Sequence, residues 1–198
     1  MGYKPEIHHR RSIRLRHYDY ATPGMYFLTL CTQHREPWLG QILDGKFDPT
    51  EDGRIAIAAW QSLPQRFPNI RLDAFVAMPN HIHGILEIVD KSPRVGRGGG
   101  QEEMAVGAGR GGGQEEMVVG AGRGDPAPTV TGLGNVVAYF KYQTTKTINQ
   151  KAGQTGRRIW QRNYWERVVR HDDELTNFRN YIVTNPQCWN HDRLNPHT

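Results

Sequence analysis

Apolar positions along the chain alternate in some stretches and recur with helical spacing in others. Met25-Tyr-Phe-Leu-Thr-Leu-Cys-Thr32 reads as a strand, and Gly53 to Phe67 carries Ile55, Ile57, Ala58, Ala59, Trp60 and Leu63 at helical spacing until Pro68 stops it. Arg71–Met78 is strand-like and continues across Pro79-Asn80 into a second strand, His81-Ile-His-Gly-Ile-Leu-Glu-Ile88. Further on, Leu133 to Gln150 is helical, with Val136, Val137, Phe140, Thr144 and Ile148 near one face and Gly153 beyond its end. Strand-forming residues occupy Ile159 to Val169. Asp172 to about Asn185 forms a last helix with Leu175, Phe178 and Ile182 inward. The order β-α-β-β-α-β plus a C-terminal helix predicts an α+β fold, a ferredoxin-like split β-α-β sandwich with an additional helix.

One segment breaks this order. Gly96–Ala108 is repeated as Gly109–Ala121 with a single change, Ala105 against Val118, and a third copy stops after Gly124. Two glycine-rich units cannot stack into a solenoid, so residues 96–124 are expected to be a flexible insertion. The expected organisation is a basic N-terminal segment, 1–24, and one folded domain formed by 25–95 and 125–190. The insertion holds three Arg against four Glu, so the net charge of +5 belongs to the flanking parts. That charge favours an anionic partner, nucleic acid before a membrane surface.

Cys31 and Cys188 form no closely spaced pair, and no apolar run is long enough to span a bilayer. The N-terminus lacks the apolar core of a signal peptide. A soluble cytoplasmic protein without membrane contact is the expectation.

Strand alternation places His81 and His83 on one face, about 7 Å apart along the backbone, with Ile82 on the other. Two imidazoles so placed can converge on one metal ion, although nine histidines in the chain make a His-x-His pair by chance unremarkable. On the last helix Tyr181 and Asn185, four residues apart, share a face. They present a phenol and an amide together, or are a half-buried tyrosine and an asparagine closing the helix before Pro186. Between Gly134 and Arg170 eight Lys or Arg, among them Lys141, Lys146, Arg158 and Arg162, stand against one acid, Glu166, with the aromatics Tyr139, Tyr142, Trp160, Tyr164 and Trp165 interleaved. Cations that track phosphates and rings that stack on bases compose a single-strand binder. A second basic patch, Arg10-Arg11-Ser-Ile-Arg14-Leu-Arg16, alternates Arg with aliphatics.

Pro79-Asn-His-Ile-His-Gly84, Phe140-Lys141 through Ile148-Asn149, Ile159-Trp-Gln-Arg-Asn-Tyr164 and Tyr181-Ile-Val-Thr-Asn-Pro186 together resemble the REP-associated tyrosine transposases, members of the single-tyrosine HUH transposases of bacterial insertion sequences. The likeness runs from about Arg11 to Trp189, apart from the repeats. It implies that His81 and His83 bind a divalent ion, Mg²⁺ or Mn²⁺, and that Tyr181 attacks a phosphodiester of single-stranded DNA to give a 5′-phosphotyrosine. Asn185 falls where relatives place a polar third ligand, commonly Gln. The implied partner is single-stranded DNA carrying palindromic hairpins, with Arg11, Arg14 and Arg16 contributing by charge. The protein would act as a monomer or homodimer, and the sequence leaves open whether the Tyr181 helix serves its own chain. Two rival readings are a non-catalytic nucleic-acid-binding module and a metal-dependent phosphoesterase that uses water.

Overall fold

The computed structural model describes residues 18–90 and 132–196. By its contacts the chain divides into two units, and all the described residues belong to the first, residues 1–90 with 130–198. The second unit, which contains the repeats, lies outside the described residues, as do Arg11, Arg14 and Arg16.

Six strands and four α-helices follow in the order β1 (Gly24–Cys31), β2 (Gly40–Leu43), β3 (Lys46–Pro49), α1 (Glu51–Gln61), α2 (Leu63–Arg66), β4 (Ile70–Met78), β5 (His81–Ile88), α3 (Leu133–Lys151), β6 (Trp165–Val169) and α4 (Asp172–Thr184). A 3₁₀ segment, Asn185–His191, extends α4. The main sheet is antiparallel in the order β4-β5-β1-β6. This is the strand order of a ferredoxin-like fold, with α1 and α3 on one face of the sheet and α4 on the other.

Strand parity divides the core. Tyr26, Leu28 and Leu30 of β1 and Ile82, Leu86 and Ile88 of β5 pack with Trp60 of α1 and Val136, Val137, Phe140 and Ile148 of α3. The opposite parity, Phe27 and Ile85, packs with Ile182 of α4 in a smaller cluster that Leu175 and Phe178 flank. His81 and His83 share the parity of Ile85 and so lie under α4. Gly84, between them and the α1 face, is fixed by packing: a Cβ there would sit 2.3 Å from the Trp60 ring. Gly84→Ala is therefore expected to destabilise the fold by about 1–3 kcal/mol, the usual cost of overpacking, read as a lowered urea midpoint at unchanged slope.

Three elements differ from the sequence expectation. The helix expected over 53–67 is two, parted at Ser62, because Pro64 has no N–H for the Trp60 carbonyl and starts the one-turn α2 instead. The strand expected over 159–169 is confined to Trp165–Val169; Trp160 makes only an isolated bridge to Thr32. Gln161 still donates its N–H to the Cys31 carbonyl of β1, and beyond it the chain leaves the sheet, held by the Lys141 ammonium, which donates to the Gln161 and Asn163 carbonyls at 2.9 and 3.0 Å. The third difference is the β2–β3 hairpin, which turns at Asp44 and Gly45 with φ of 51° and 71°. Positive φ at both positions is what a two-residue type I′ turn needs.

Candidate active site

The asparagine before the histidine pair sets its chemistry. Asn80 is fully buried, and its amide nitrogen donates to the Arg35 carbonyl at 3.1 Å and to the Leu194 carbonyl at 2.6 Å. Both of its N–H groups are thereby used, so its oxygen faces His81 Nδ1, 2.7 Å away, and must accept from it. The proton of His81 is accordingly on Nδ1. Nε2 is left as a buried lone pair with no hydrogen-bond partner, 3.9 Å from Oδ2 of Asp192. Burial, reinforced by the Arg35 charge, holds the His81 pKa down at about 3, so the ring is neutral at physiological pH.

His83, two residues on, meets Thr29 Oγ1 at 2.9 Å through Nδ1. Its Nε2 lies 3.2 Å from the Tyr181 hydroxyl. Burial first, and the neighbouring His81 second, lower its pKa to about 3 as well. The imidazoles stand edge to face with ring centroids 4.6 Å apart. Neutral imidazoles with the far nitrogen held by an oxygen acceptor are in the state in which histidine ligates a metal.

Tyr181 reaches this point because α4 is anchored on the sheet of its own chain. Phe178, one turn earlier, stacks on Phe27 at 4.4 Å and 16°. Arg179 forks onto Asp73 with contacts of 2.8 and 2.5 Å. Asp73 sits where the β4–β5 register shifts between Leu72 and Phe75, and that irregularity turns its carboxylate toward the helix. Glu174, at the start of α4, pairs with Arg167 of β6 and accepts the Arg170 N–H. The phenol and both histidines come together within the described chain.

Tyr181 remains 43 % exposed at the mouth of a cleft of about 940 Å³, with Thr29 and His83 on its floor. Burial of its inner half raises its pKa, the Asp192 carboxylate raises it further, and a hydrogen bond from Asn185 opposes them. Without a cation nearby the phenol stays protonated. Asn185 itself is 2 % exposed, and its Oδ1 is buried without a hydrogen-bond partner.

Asp192 was invisible to sequence reasoning and lies beyond the expected end of the folded domain at 190. After the 3₁₀ segment the chain turns there: Asp192 Oδ1 accepts the Leu194 N–H at 2.7 Å, and the Leu194 carbonyl receives Asn80. The other carboxylate oxygen is thereby directed at His81. His81, His83 and Asp192 offer ligand atoms all within 4.8 Å of one another, a group that can hold a metal ion. Two imidazole nitrogens and a carboxylate oxygen are a donor set for a metal ion, and the Asn185 oxygen, also without a hydrogen-bond partner, belongs to a residue lining the same cleft. The fit rests on two buried acceptors without a hydrogen-bond partner, His81 Nε2 and Asn185 Oδ1, as well as on residue identity.

The basic residues divide by environment. Lys141, Lys146, Arg158 and Arg162 all line a groove of about 430 Å³ beside α3 that also contains Tyr142, which is 59 % exposed. Lys146 lies 6.0 Å from the Tyr142 ring centroid. Lys141 is different: burial lowers its pKa to about 8, and its ammonium is committed to the two loop carbonyls. Its charge serves the wall between groove and cleft.

No family model matches the chain. Over 192 residues it is 32 % identical to an uncharacterised protein of Haemophilus influenzae, covering 97 % of this chain and 96 % of that one. Among solved structures it is similar to a REP-associated tyrosine transposase bound to a REP hairpin, with a TM-score of 0.50, 16 % identity, and coverage of 88 % of this chain and 72 % of that one. At that identity the likeness establishes the shared fold.

Proposed function

From a chain that belongs to one family with the Haemophilus influenzae protein, and that has the fold of the REP-associated tyrosine transposase, we propose a metal-dependent transesterase. It cuts and rejoins single-stranded DNA next to hairpins through a covalent bond to Tyr181. The observation that carries the reading is the Tyr181 hydroxyl 3.2 Å from His83, at the edge of a buried His-His-Asp group. A tyrosine beside such a group is poised as a nucleophile.

In the proposed reaction a scissile phosphate lies between Tyr181 and the His81, His83 and Asp192 ligands, with Asn185 as a further oxygen donor. A bound divalent ion supplies Lewis acidity, favouring phenolate over phenol and withdrawing charge from the phosphate oxygens. The chain's residues do the rest. Phe178 and the Arg179–Asp73 fork hold α4 so that the phenol oxygen points at the site, while Asn80 and Thr29 fix the two imidazoles. Tyr181 loses its proton to solvent through the open cleft, its oxygen bonds to phosphorus, and the bond from phosphorus to the 3′ oxygen breaks. The 5′ phosphate stays on the enzyme and the 3′ end departs as a hydroxyl. Because one phosphodiester replaces another, a second 3′-OH reverses the step and joins a new end. No nucleotide cofactor is required.

The groove beside α3, with Lys146, Arg158, Arg162 and the exposed Tyr142 ring, is suited to the hairpin or its flank. The hairpin bound to the solved transposase supports this choice of partner. The test is to incubate the purified protein with a single-stranded palindromic hairpin and flanks from its own genome, in Mn²⁺ or in EDTA. Cleavage in Mn²⁺ alone is expected, with a 3′ end that a polymerase extends and a 5′ end that stays blocked, carrying a tyrosyl peptide even after the protein is digested. A free 5′ phosphate would instead indicate hydrolysis by water.

A further inference from the structure

Trp165 has no part in the chemistry above, yet it lines the same cleft as Tyr181. It opens β6, an edge strand of the sheet, and is 39 % exposed, whereas Trp60 and Trp160 are 2 % and 6 % exposed in the core. Its register partner on β1 is Thr29, the residue that holds His83. Phe178, Phe27 and His83 stack nearly parallel to one another, but the indole meets Phe27 edge-on, at 5.7 Å and 76°. It therefore stands apart from that stack, at the solvent side of the site. Amides face the same space: Asn177, one turn before Tyr181 on α4, and Asn163 of the loop are both exposed cleft residues. The loop carrying Asn163 is not slack, because Lys141 holds it by two carbonyls.

A flat apolar ring, amides that both donate and accept, and a nucleophile within one cleft are the parts of a base-binding pocket. We propose that this end of the cleft is a subsite for one unstacked nucleobase of the strand being cut, adjacent to the scissile phosphate. The Trp165 indole stacks on the base, and the Asn177 amide bonds its edge. The proposal rests on the single-strand reading above and deepens it, assigning part of the sequence preference at the cut to the protein rather than to the hairpin.

The test measures binding of hairpin oligonucleotides in EDTA, where no cutting occurs, with an abasic residue placed in turn at every flank position. For the unaltered protein, one position next to the cut is expected to weaken binding about 5- to 150-fold, the range of one base–aromatic stack. Trp165→Ala should lose the same factor on the intact oligonucleotide and become indifferent to the abasic residue there, while Trp165→Phe keeps most of the affinity. Flank positions that are all neutral in the unaltered protein would overturn the subsite, whatever the folding of the variants. So would a Trp165→Ala protein with an unaltered melting curve that stays as sensitive as the parent. Adduct formation in Mn²⁺ on the same oligonucleotides separates the two claims: adduct without any abasic effect sinks the subsite alone, and no binding or adduct sinks both.

Discussion

Tyr181→Phe is expected to abolish the covalent protein–DNA species while leaving hairpin binding within about two-fold of the parent. The substitution removes one oxygen from a ring that is 43 % exposed and held by Phe27, so packing of α4 is retained. The hydrogen bond to His83 is lost at a cost of about 1 kcal/mol in stability. Nothing in the groove beside α3 involves Tyr181, so affinity for the hairpin has no reason to fall. Denaturing electrophoresis for the adduct and an electrophoretic shift for binding read the two effects separately. Undiminished adduct would remove Tyr181 from the reaction.

The second large effect falls on Asp192. Asp192→Asn keeps an oxygen for the Leu194 N–H, so the turn can persist, but it removes the only carboxylate of the His-His-Asp group. Mn²⁺ affinity, followed by the electron paramagnetic signal of the free ion, is expected to drop at least about ten-fold. The Mn²⁺ concentration needed for adduct formation should rise by a similar factor, with excess Mn²⁺ restoring the yield. Asn185→Ala provides the contrast. If it lowers Mn²⁺ affinity and Asp192→Asn does not, the third ligand is the amide on α4, as its position in the sequence implies. Losses in both variants would make the amide and the carboxylate joint ligands.

These two residues also show how far the sequence could be read. The histidine pair and the phenol were legible because each sits in a regular element: period two puts His81 and His83 on one face of β5, and helical spacing puts Tyr181 and Asn185 on one side of α4. The same periodicities gave the order of the main elements along the chain and the buried face of α3. Asp192 has no period to announce it. It follows a 3₁₀ segment, and its place depends on Asn80 binding Leu194, a contact across more than a hundred residues that no local pattern encodes.

Lys141 has a second role that the sequence does not announce. In sequence it is one cation among eight, and charge alone does not tell a phosphate contact from a buried hydrogen bond; only the structure shows its ammonium closing the 161–163 loop. That loop interrupts the strand expected from Ile159, of which five residues remain. The β2–β3 hairpin escaped because its strands are four residues each and half exposed, too short for alternation to register, although Asp44-Gly45 is a turn signal that could have found it.

The account stands or falls on which atom of the protein takes the DNA. The most direct measurement is mass mapping of the peptide that retains nucleotide after the Mn²⁺ reaction has been denatured and digested. The prediction is a single modified peptide, with the phosphate ester on Tyr181, formed in Mn²⁺ and lacking in EDTA. A linkage on another tyrosine, or nicked DNA with no modified peptide at all, would contradict it.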